Sequence, residues 1–287
     1  MTNTPPTLGD HIAGWNPEPT VETDRLDPAQ ATRLARTLDL PDTFADGDAL
    51  PLPWHWIYFS EWPATAALGA DGHPAEGHSL PPIPDRRRMF AGSRMTSTAP
   101  LRLGVRTEKR SAITNIAEKH GRTGDLLFVT VTTTYVQDGT TLLSEEQDLV
   151  YRSDSGHTTT FERPAAELAP ATAAWTAEPA PAPPTLFRYS ALTSNSHRIH
   201  YDLPYASEVE GYPDLVVHGP LLATYLAELA RANNGGTSLR TFSFRLQRPL
   251  FAGDRFRVEG APGDDGIVTL QVITGDGTVH VSGKGEF

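Results

Sequence analysis

The sequence contains no cysteine among its 287 residues. That absence excludes disulfide bonds, a cysteine nucleophile and thiolate metal ligands. Long apolar runs are also missing, because no stretch approaches the roughly 18 apolar residues that a membrane-spanning helix needs. The opening letters, MTNTPPTLGDHIAGWNPEPTV, lack a basic region followed by an apolar run. We therefore expect no secretory signal, no membrane partner and a cytoplasmic protein.

Basic residues are scarce relative to acidic ones. Lys and Arg total 24 against 35 Asp and Glu, which gives a formal net charge of −11. Nucleic-acid-binding domains normally carry a basic surface, so nucleic acid is not an expected partner. Hydrophobic residues make up 38% of the chain, which is enough to bury the core of one large domain or two ordinary ones.

An Ala- and Pro-rich stretch divides the chain. From residue 156 the sequence reads GHTTTFERPAAELAPATAAWTAEPAPAPPTL. Proline lacks an N–H group and fixes φ, so this composition predicts a semi-extended connection over Pro164–Pro184. We predict an N-terminal half at 1–155, a linker at 156–186 and a C-terminal half at 187–287.

The two halves share an order of features. Pro-Leu-x-x-Gly-x-Arg begins at Pro100 and again at Pro249, and each copy leads into alternating text with an Asp-Gly-Thr turn, at Asp138 and at Asp276. Such turns close antiparallel hairpins. The pattern predicts an internal repeat and an α+β fold with an antiparallel sheet in each half.

One long helix is predicted, in the second half. HGPLLATYLAELARANNGG places its large apolar residues on one stripe, with Pro220 in the first turn and a stop signal at Asn233. A shorter helix in the first half, DPAQATRLARTLDL, begins with Asp27 as its cap.

The stretch ALTSNSHRIHYD concentrates polar side chains before the long helix. His197 and His200 lie three residues apart, Asn195 precedes them, Asp202 follows, and His218 comes at the helix start. An imidazole titrates near neutral pH and suits acid/base work. A zinc site built from the three histidines and Asp202 is a weak alternative, because the spacing lacks the Glu-bearing helical context of zinc enzymes.

The motif resembles that of the MaoC-like double hotdog hydratase/dehydratase family. The family pattern is Asp-x-Asn-Pro-x-His, followed by His-Gly at the start of a central helix; the matching positions here run from Asn195 to His200, with Gly219 after the later histidine. The variant Asn-x-His-Arg-Ile-His-Tyr-Asp is more similar to one branch, which holds type 2 3-hydroxyacyl thioester dehydratases and mesaconyl-C4-CoA hydratases. LPWHWIYF, LPPIPDRRRMFAGSRM and EEQDLVYR resemble the non-catalytic half of that branch.

The resemblance implies a double hotdog fold, with two antiparallel sheets, each wrapped around a central helix, packed as a pseudo-dimer. It implies a hydro-lyase that adds or removes water at the α,β position of an acyl thioester, in fatty acid or polyketide metabolism. The substrate would be carried by coenzyme A or an acyl carrier protein, and no metal or redox cofactor is expected. Assembly into a homo-oligomer stays open.

Four residues receive catalytic roles under this resemblance. His200 is the acid/base. Asn195 stands where the family has aspartate, and since an amide cannot titrate, it is assigned to positioning water. The N–H group of Gly219, at a helix N-terminus, is assigned to the oxyanion of the thioester. His197 either orients the loop or joins proton transfer.

Substrate-binding roles are predicted with their structural alternatives. Asp202 either orients an imidazole or is an exposed loop carboxylate, and His218 is either a catalyst or a local structural residue. Trp56 either shapes an acyl pocket or packs in the core. A basic cluster suits the phosphates of coenzyme A or phosphopantetheine, or forms surface ion pairs; its members are Arg86, Arg87, Arg88 and Arg94.

Two other functions remain open. One is a non-catalytic hotdog subunit that binds acyl groups or scaffolds a partner, and Asn195 favours it. The other is a hotdog thioesterase, whose usual helix-borne carboxylate is missing here, because the helix after Gly219 first shows an acid at Glu228.

Overall fold

The structure is a computed structural model that describes residues 7–77, 80–84, 86–121, 124–153, 161–163 and 167–287. Its strands are β1 (Thr20–Asp24), β2 (Arg86–Ser97), β3 (Thr107–Gly121), β4 (Gly124–Gln137), β5 (Thr140–Ser153), β6 (Trp175–Ala177), β7 (Thr241–Leu246), β8 (Phe256–Pro262), β9 (Ile267–Thr274) and β10 (Val279–Glu286). Its α-helices are α1 (Leu8–His11), α2 (Pro28–Thr37), α3 (Pro183–Leu192) and α4 (Gly219–Asn233).

The strands form one antiparallel sheet in the order β1-β3-β4-β5-β2-β7-β10-β9-β8-β6. The first five belong to the first half and the last five to the second. The two sets meet where β2 pairs with β7, from Gly92 opposite Arg245 to Thr96 opposite Thr241. The predicted α+β double hotdog is confirmed. The prediction of two separate sheets, each around its own central helix, is corrected, because the β2–β7 pairing makes one continuous sheet and, among the described residues, only the second half has a long helix.

The internal repeat is visible in backbone hydrogen bonds. In the second half, the N–H group of Val217 donates to the Leu250 carbonyl at 2.8 Å. In the first half, the N–H group of Leu50 donates to the Leu101 carbonyl at the same distance. Both acceptors directly follow the repeated prolines. Leu50 therefore corresponds to Val217, and the residues after it correspond to the start of α4.

The central element of the first half is much shorter than α4. A 3-10 turn, Trp54–Ile57, takes that position, because the prolines of the LPLPW sequence withhold the N–H groups that a continuing helix would use. The helix α2 packs against this turn and against α3. Its predicted cap is present, since the Asp27 carboxylate accepts a hydrogen bond from the Ala29 N–H at 2.9 Å.

Helix α4 supplies the core of the second half. It begins at Gly219 with Pro220 in its first turn and ends at Asn233, as predicted. Leu221 and Leu226 are fully buried where the helix packs on the second-half strands. Burial of such leucines contributes about 2 kcal/mol each, so this packing fixes the helix and its N-terminus.

The predicted linker contains regular structure. Within 156–186, β6 pairs with β8 as an edge strand, and α3 begins at Pro183. Proline is tolerated at a helix's first turn, so the predicted boundary at residue 186 falls inside a helix. Residues 154–160 and 164–166 lie outside the described part. In that part, no helix is long and apolar enough to cross a bilayer.

Candidate active site

The histidine motif forms a loop between α3 and α4. The Asn195 N–H donates to the Ser190 carbonyl at 2.9 Å as α3 ends. The Asn195 side-chain oxygen then accepts a hydrogen bond from the His197 N–H at 3.0 Å. This is a local Asx turn. Part of the Asn195 amide therefore shapes the loop, and its Nδ2 atom has no hydrogen-bond partner among the described residues.

His200 is buried at the end of this loop. Its Nδ1 atom lies 2.8 Å from the Val216 carbonyl oxygen. A carbonyl only accepts, so Nδ1 carries the hydrogen and Nε2 of the neutral ring holds a lone pair. Burial lowers the pKa of His200 to about 4, against the opposing effect of the Val216 hydrogen bond. The ring is neutral at pH 7 and can accept a proton at Nε2.

His218 stacks on His200. The ring centroids are 3.6 Å apart and the planes differ by 18°. The Nε2 atom of His218 lies 2.8 Å from the Ser190 hydroxyl, while its buried Nδ1 has no described partner. Burial, followed by the charge of His200, lowers its pKa well below the usual value. Two stacked imidazoles disfavour a second charge, so the neutral state of His218 is favoured.

The N-terminus of α4 lies directly after these rings. No side chain caps the helix, and the Gly219 N–H has no hydrogen-bond partner in the described part of the chain. It is thus available to an oxyanion, as the prediction for Gly219 requires. A Cβ at Gly219 would lie 2.2 Å from Cδ1 of Leu246 on β7, so close packing on the sheet also explains the glycine.

The loop that carries the histidine motif, the candidate catalytic loop, meets the first half through His197. Its ring is perpendicular to that of His200 at a centroid distance of 5.6 Å, and it lies 4.2 Å from the ring of His73. Burial lowers the pKa of His197 to about 2, with further lowering by the charges of His73 and His200.

Sequence reasoning missed His73 and its partner Asp71. The Nδ1 atom of His73 lies 3.0 Å from Oδ2 of Asp71, whose Oδ1 accepts the His73 N–H at 2.9 Å. Burial opposes ionisation of Asp71, but the hydrogen bond and charge of His73 prevail and lower its pKa to about 2. The available signal was a carboxylate two residues before a histidine, in the long connection between the Trp54–Ile57 turn and β2.

That connection is docked on the catalytic loop through backbone atoms. The Ser196 hydroxyl donates to the Gly72 carbonyl at 2.5 Å, and the Arg198 N–H donates to the Asp71 carbonyl at 2.8 Å. Gly72 has φ +90°, and a Cβ there would lie 2.0 Å from the Ser196 carbonyl oxygen. Only glycine fits this contact, which fixes the position of His73 beside His197.

Asp202 faces a guanidinium group. Its Oδ2 accepts from Arg198 Nη2 at 2.7 Å, and its Oδ1 accepts the Tyr205 N–H at 3.2 Å. The hydrogen bond from Arg198 lowers the pKa of Asp202. Asp202 therefore orients the loop. The alternative in which it orients an imidazole is corrected.

Trp56 lies between the two halves. Its Nε1–H donates to Glu145 at 2.9 Å, and its ring meets Phe90 and Phe244 edge-on, at 6.2 and 5.9 Å. Those rings belong to β2 and β7, so Trp56 packs where the halves join. Its role in an acyl pocket stays a prediction.

The basic cluster is largely engaged by carboxylates. Arg94 binds Glu146 at 2.9 Å and Asp148 at 2.5 Å, and these bonds raise its pKa above the usual value. Arg87 pairs with Glu210 at 2.9 Å. Arg88 is exposed, its charge contributes to lowering the pKa of His197, and its side chain makes no hydrogen bond or ion pair with the described residues. The side chain of Arg86 lies outside the described part. Arg88 is thus the member best placed for a substrate anion.

The zinc alternative is not supported by the positions of its residues. Asp202 binds Arg198, His200 Nδ1 binds the Val216 carbonyl and His218 Nε2 binds Ser190. Donor atoms of Asp71, His73 and His197 do lie within 4.8 Å of one another. The first two are hydrogen-bonded to each other.

A cavity of about 430 Å³ lies where the corresponding part of the first half meets the C-terminal end of α4 and the segment that follows it. It is lined at its base by Pro51 and Leu52, which stand in the repeat where His218 and Gly219 stand in the second half. Its one histidine, His55, has Nε2 bound to Glu145 at 2.8 Å. This arrangement offers no free imidazole and no helix N-terminus, which favours one active site per chain.

Comparisons with known proteins identify the family of this chain. The family model for hydroxyacyl-thioester dehydratase type 2 matches residues 53–252. A mesaconyl-C(4)-CoA hydratase of Chloroflexus aurantiacus is 46% identical over 256 residues, 88% of this chain and 90% of that protein. The mitochondrial hydroxyacyl-thioester dehydratase type 2 of Schizosaccharomyces pombe is 41% identical over 80 residues, 27% of each chain.

Solved structures share the fold. A MaoC-like dehydratase from Phytophthora capsici superposes with a TM-score of 0.67 at 14% identity, covering 97% of this chain and 98% of the other. A double hotdog protein of Mycobacterium tuberculosis gives a TM-score of 0.56 at 10% identity, covering 98% of both. The family match spans most of the chain. This chain therefore belongs to the hydroxyacyl-thioester dehydratase type 2 family and is a hydro-lyase of acyl thioesters.

Proposed function

We propose that the protein hydrates an enoyl thioester of coenzyme A whose β-carbon carries a free carboxylate, with His200 as the base. The substrate class follows the Chloroflexus aurantiacus relative, whose mesaconyl group has that second carboxylate, and the 46% identity extends over 88% of this chain. The observation that carries the chemistry is the buried His200 ring, held by Val216 with its Nε2 lone pair free.

Each part of the reaction has a candidate group. Nε2 of His200 takes a proton from water while the water oxygen bonds to Cβ. The electrons of the Cα=Cβ bond move onto the thioester oxygen, and the Gly219 N–H stabilises that enolate. Asn195 keeps its predicted role, because its Nδ2 has no described partner and can hold the water by donating to its oxygen.

The anionic parts of the substrate need a cation. Arg88 supplies one close enough to act on His197, and it has no described carboxylate partner. Arg94 is a weaker candidate for the coenzyme A phosphates, because Glu146 and Asp148 already engage it. The same groups would serve an acyl carrier protein substrate, so the test compares both carriers.

The experiment is a hydration assay that follows loss of the enoyl-thioester absorbance. Mesaconyl-C4-CoA, crotonyl-CoA and the matching carrier-protein thioesters serve as substrates, and free thiol is measured to detect thioesterase activity. We expect His200→Ala to lower kcat by about 10²–10⁴-fold, the usual worth of acid–base catalysis. His120→Ala, an exposed histidine on the β3–β4 hairpin, is the control. A His200→Ala protein that keeps more than about a tenth of the activity contradicts this role.

A further inference from the structure

The connection from Tyr58 to β2 crosses from the first half to the catalytic loop of the second. Long connections with little regular structure are uncommon in compact domains and are usually functional. This one is held by the Gly72 and Asp71 carbonyls, as described above, and a third contact joins Arg198 Nη1 to the Ala70 carbonyl at 2.9 Å. The docking delivers one titratable pair, Asp71 and His73, to the catalytic histidines.

We propose that His73, held by Asp71, is the proton donor to Cα in the reaction, so that the first half completes the active site of the second. This inference rests on the proposed hydration and adds a second acid/base group to it. His73 would be the catalytic acid and Asp71 a positioning residue.

The geometry suits a proton donor. Asp71 accepts from Nδ1 of His73 at 3.0 Å, which directs the ring and leaves Nε2 free. A carboxylate placed in this way fixes the orientation of an imidazole and compensates the charge of an imidazolium, as in catalytic triads. The His73 side chain is 24% exposed, so a substrate can reach it. Backbone contacts of its neighbours hold the loop, so His73 itself is free for chemistry.

The other polar groups of the loop are poor proton donors. Burial keeps His197, His200 and His218 neutral at pH 7, because it lowers the pKa of each. Asn195 cannot titrate, although the family position is an aspartate. Of the imidazoles in and around the loop described here, His73 alone is hydrogen-bonded to a carboxylate.

The proton balance closes without another reactant. Nε2 of His200 takes one proton from water, the water oxygen bonds to Cβ, and the former π electrons form the enolate. The enolate then takes the proton from Nε2 of His73 at Cα, which breaks that N–H bond and leaves His73 neutral. Water then takes the proton from His200 and returns one to His73, so both groups recover their starting states. The His197 ring is close to both, with centroid distances of 5.6 Å to His200 and 4.2 Å to His73.

The test compares His73→Gln and Asp71→Asn with a matched control pair. His120 and Asp125 form a similar bond at 2.9 Å on the exposed β3–β4 hairpin, so His120→Gln and Asp125→Asn report non-specific effects. We measure kcat, KM and the pH–rate profile for mesaconyl-C4-CoA hydration, with thermal unfolding to confirm folding. The loop contacts use backbone atoms, so both site variants should fold.

We expect His73→Gln to lower kcat by about 10²-fold or more with little change in KM, and to remove the alkaline limb of the profile. Asp71→Asn should keep some activity and move the alkaline limb to lower pH, because the imidazolium loses its compensating charge. A purely structural loop would not move that limb.

Three results would overturn the inference: an unchanged kcat in His73→Gln, an increase confined to KM, or an unmoved profile in Asp71→Asn. If His200→Ala is inactive in the same experiments, such a result rejects the role of His73 but not the proposed hydration. Activity in His200→Ala would instead remove the hydration mechanism itself.

Discussion

The buried ring of His200 should make the stability of the protein fall in mild acid. Its pKa is lowered from 6.5 to about 4 by burial. Between these values the unfolded chain binds the proton and the folded chain does not, so stability is present above the unfolded pKa and is lost as pH falls. Integration from about pH 8 to about pH 5 gives about 2 kcal/mol for this one group.

The variant His200→Asn isolates that contribution. Its amide N–H can still donate to the Val216 carbonyl, but it does not titrate. Urea unfolding at both pH values, followed by the fluorescence of the five tryptophans, gives the free energy of unfolding. We expect the wild type to lose about 2 kcal/mol more than the variant between the two conditions.

The quantity compared is the change in the free energy of unfolding between the two pH values, so the pH-independent cost of the substitution cancels. His218 contributes in the same direction in both proteins, because its own burial remains. If wild type and variant lost the same free energy, His200 would not be held neutral in the folded state, and its assignment as the base would lose its physical ground.

Two further variants test the packing around the site. In Gly219→Ala the new Cβ would clash with Leu246 Cδ1. We expect the free energy of unfolding to fall by about 1–3 kcal/mol from overpacking, and kcat to fall because the oxyanion-binding N–H shifts. Unchanged unfolding and kinetics would contradict the contact. In Glu145→Gln the buried carboxylate that bonds to His55, Trp56 and Ser93 becomes an amide, which can no longer accept at both of its terminal atoms. We expect about 1–3 kcal/mol of destabilisation in urea unfolding with unchanged kcat, and a neutral result would show that these hydrogen bonds are not needed for stability.

Sequence patterns predicted those helices and strands that are determined mainly by interactions between residues close in the chain. Alternation marked the hairpins, and the apolar stripe with Pro220 and Asn233 marked α4 at its observed bounds. The linker was less predictable, because its composition suits an extended chain, an edge strand and a helix's first turn equally. Pairing with β8 and the packing of α3 decide among these, and both depend on distant parts of the chain.

Side-chain partners were less predictable than elements. Arg94 looked like a candidate for phosphate because its sequence neighbours are basic. Its actual partners, Glu146 and Asp148, lie across from it on β5, a register that the sequence alone does not specify. Asp202 was ambiguous for the same reason, since Arg198 lies one helical turn before it and competes with any imidazole for the carboxylate.

The position of His73 was unpredictable for the same reason, because it depends on contacts between residues that are far apart in the sequence. The Ser196 hydroxyl contacts the Gly72 carbonyl, although the two residues are 124 positions apart in the sequence. The one local sign of this contact is the glycine itself, which has a positive φ. Yet that contact resolves the difficulty raised by Asn195. A loop with an amide in place of aspartate and three buried, neutral imidazoles can accept a proton but has little to donate. A histidine from the other half, held by the Asp71 carboxylate, supplies the second acid/base group under our proposal. That role explains why the half without the motif has a long connection docked on the half that has it.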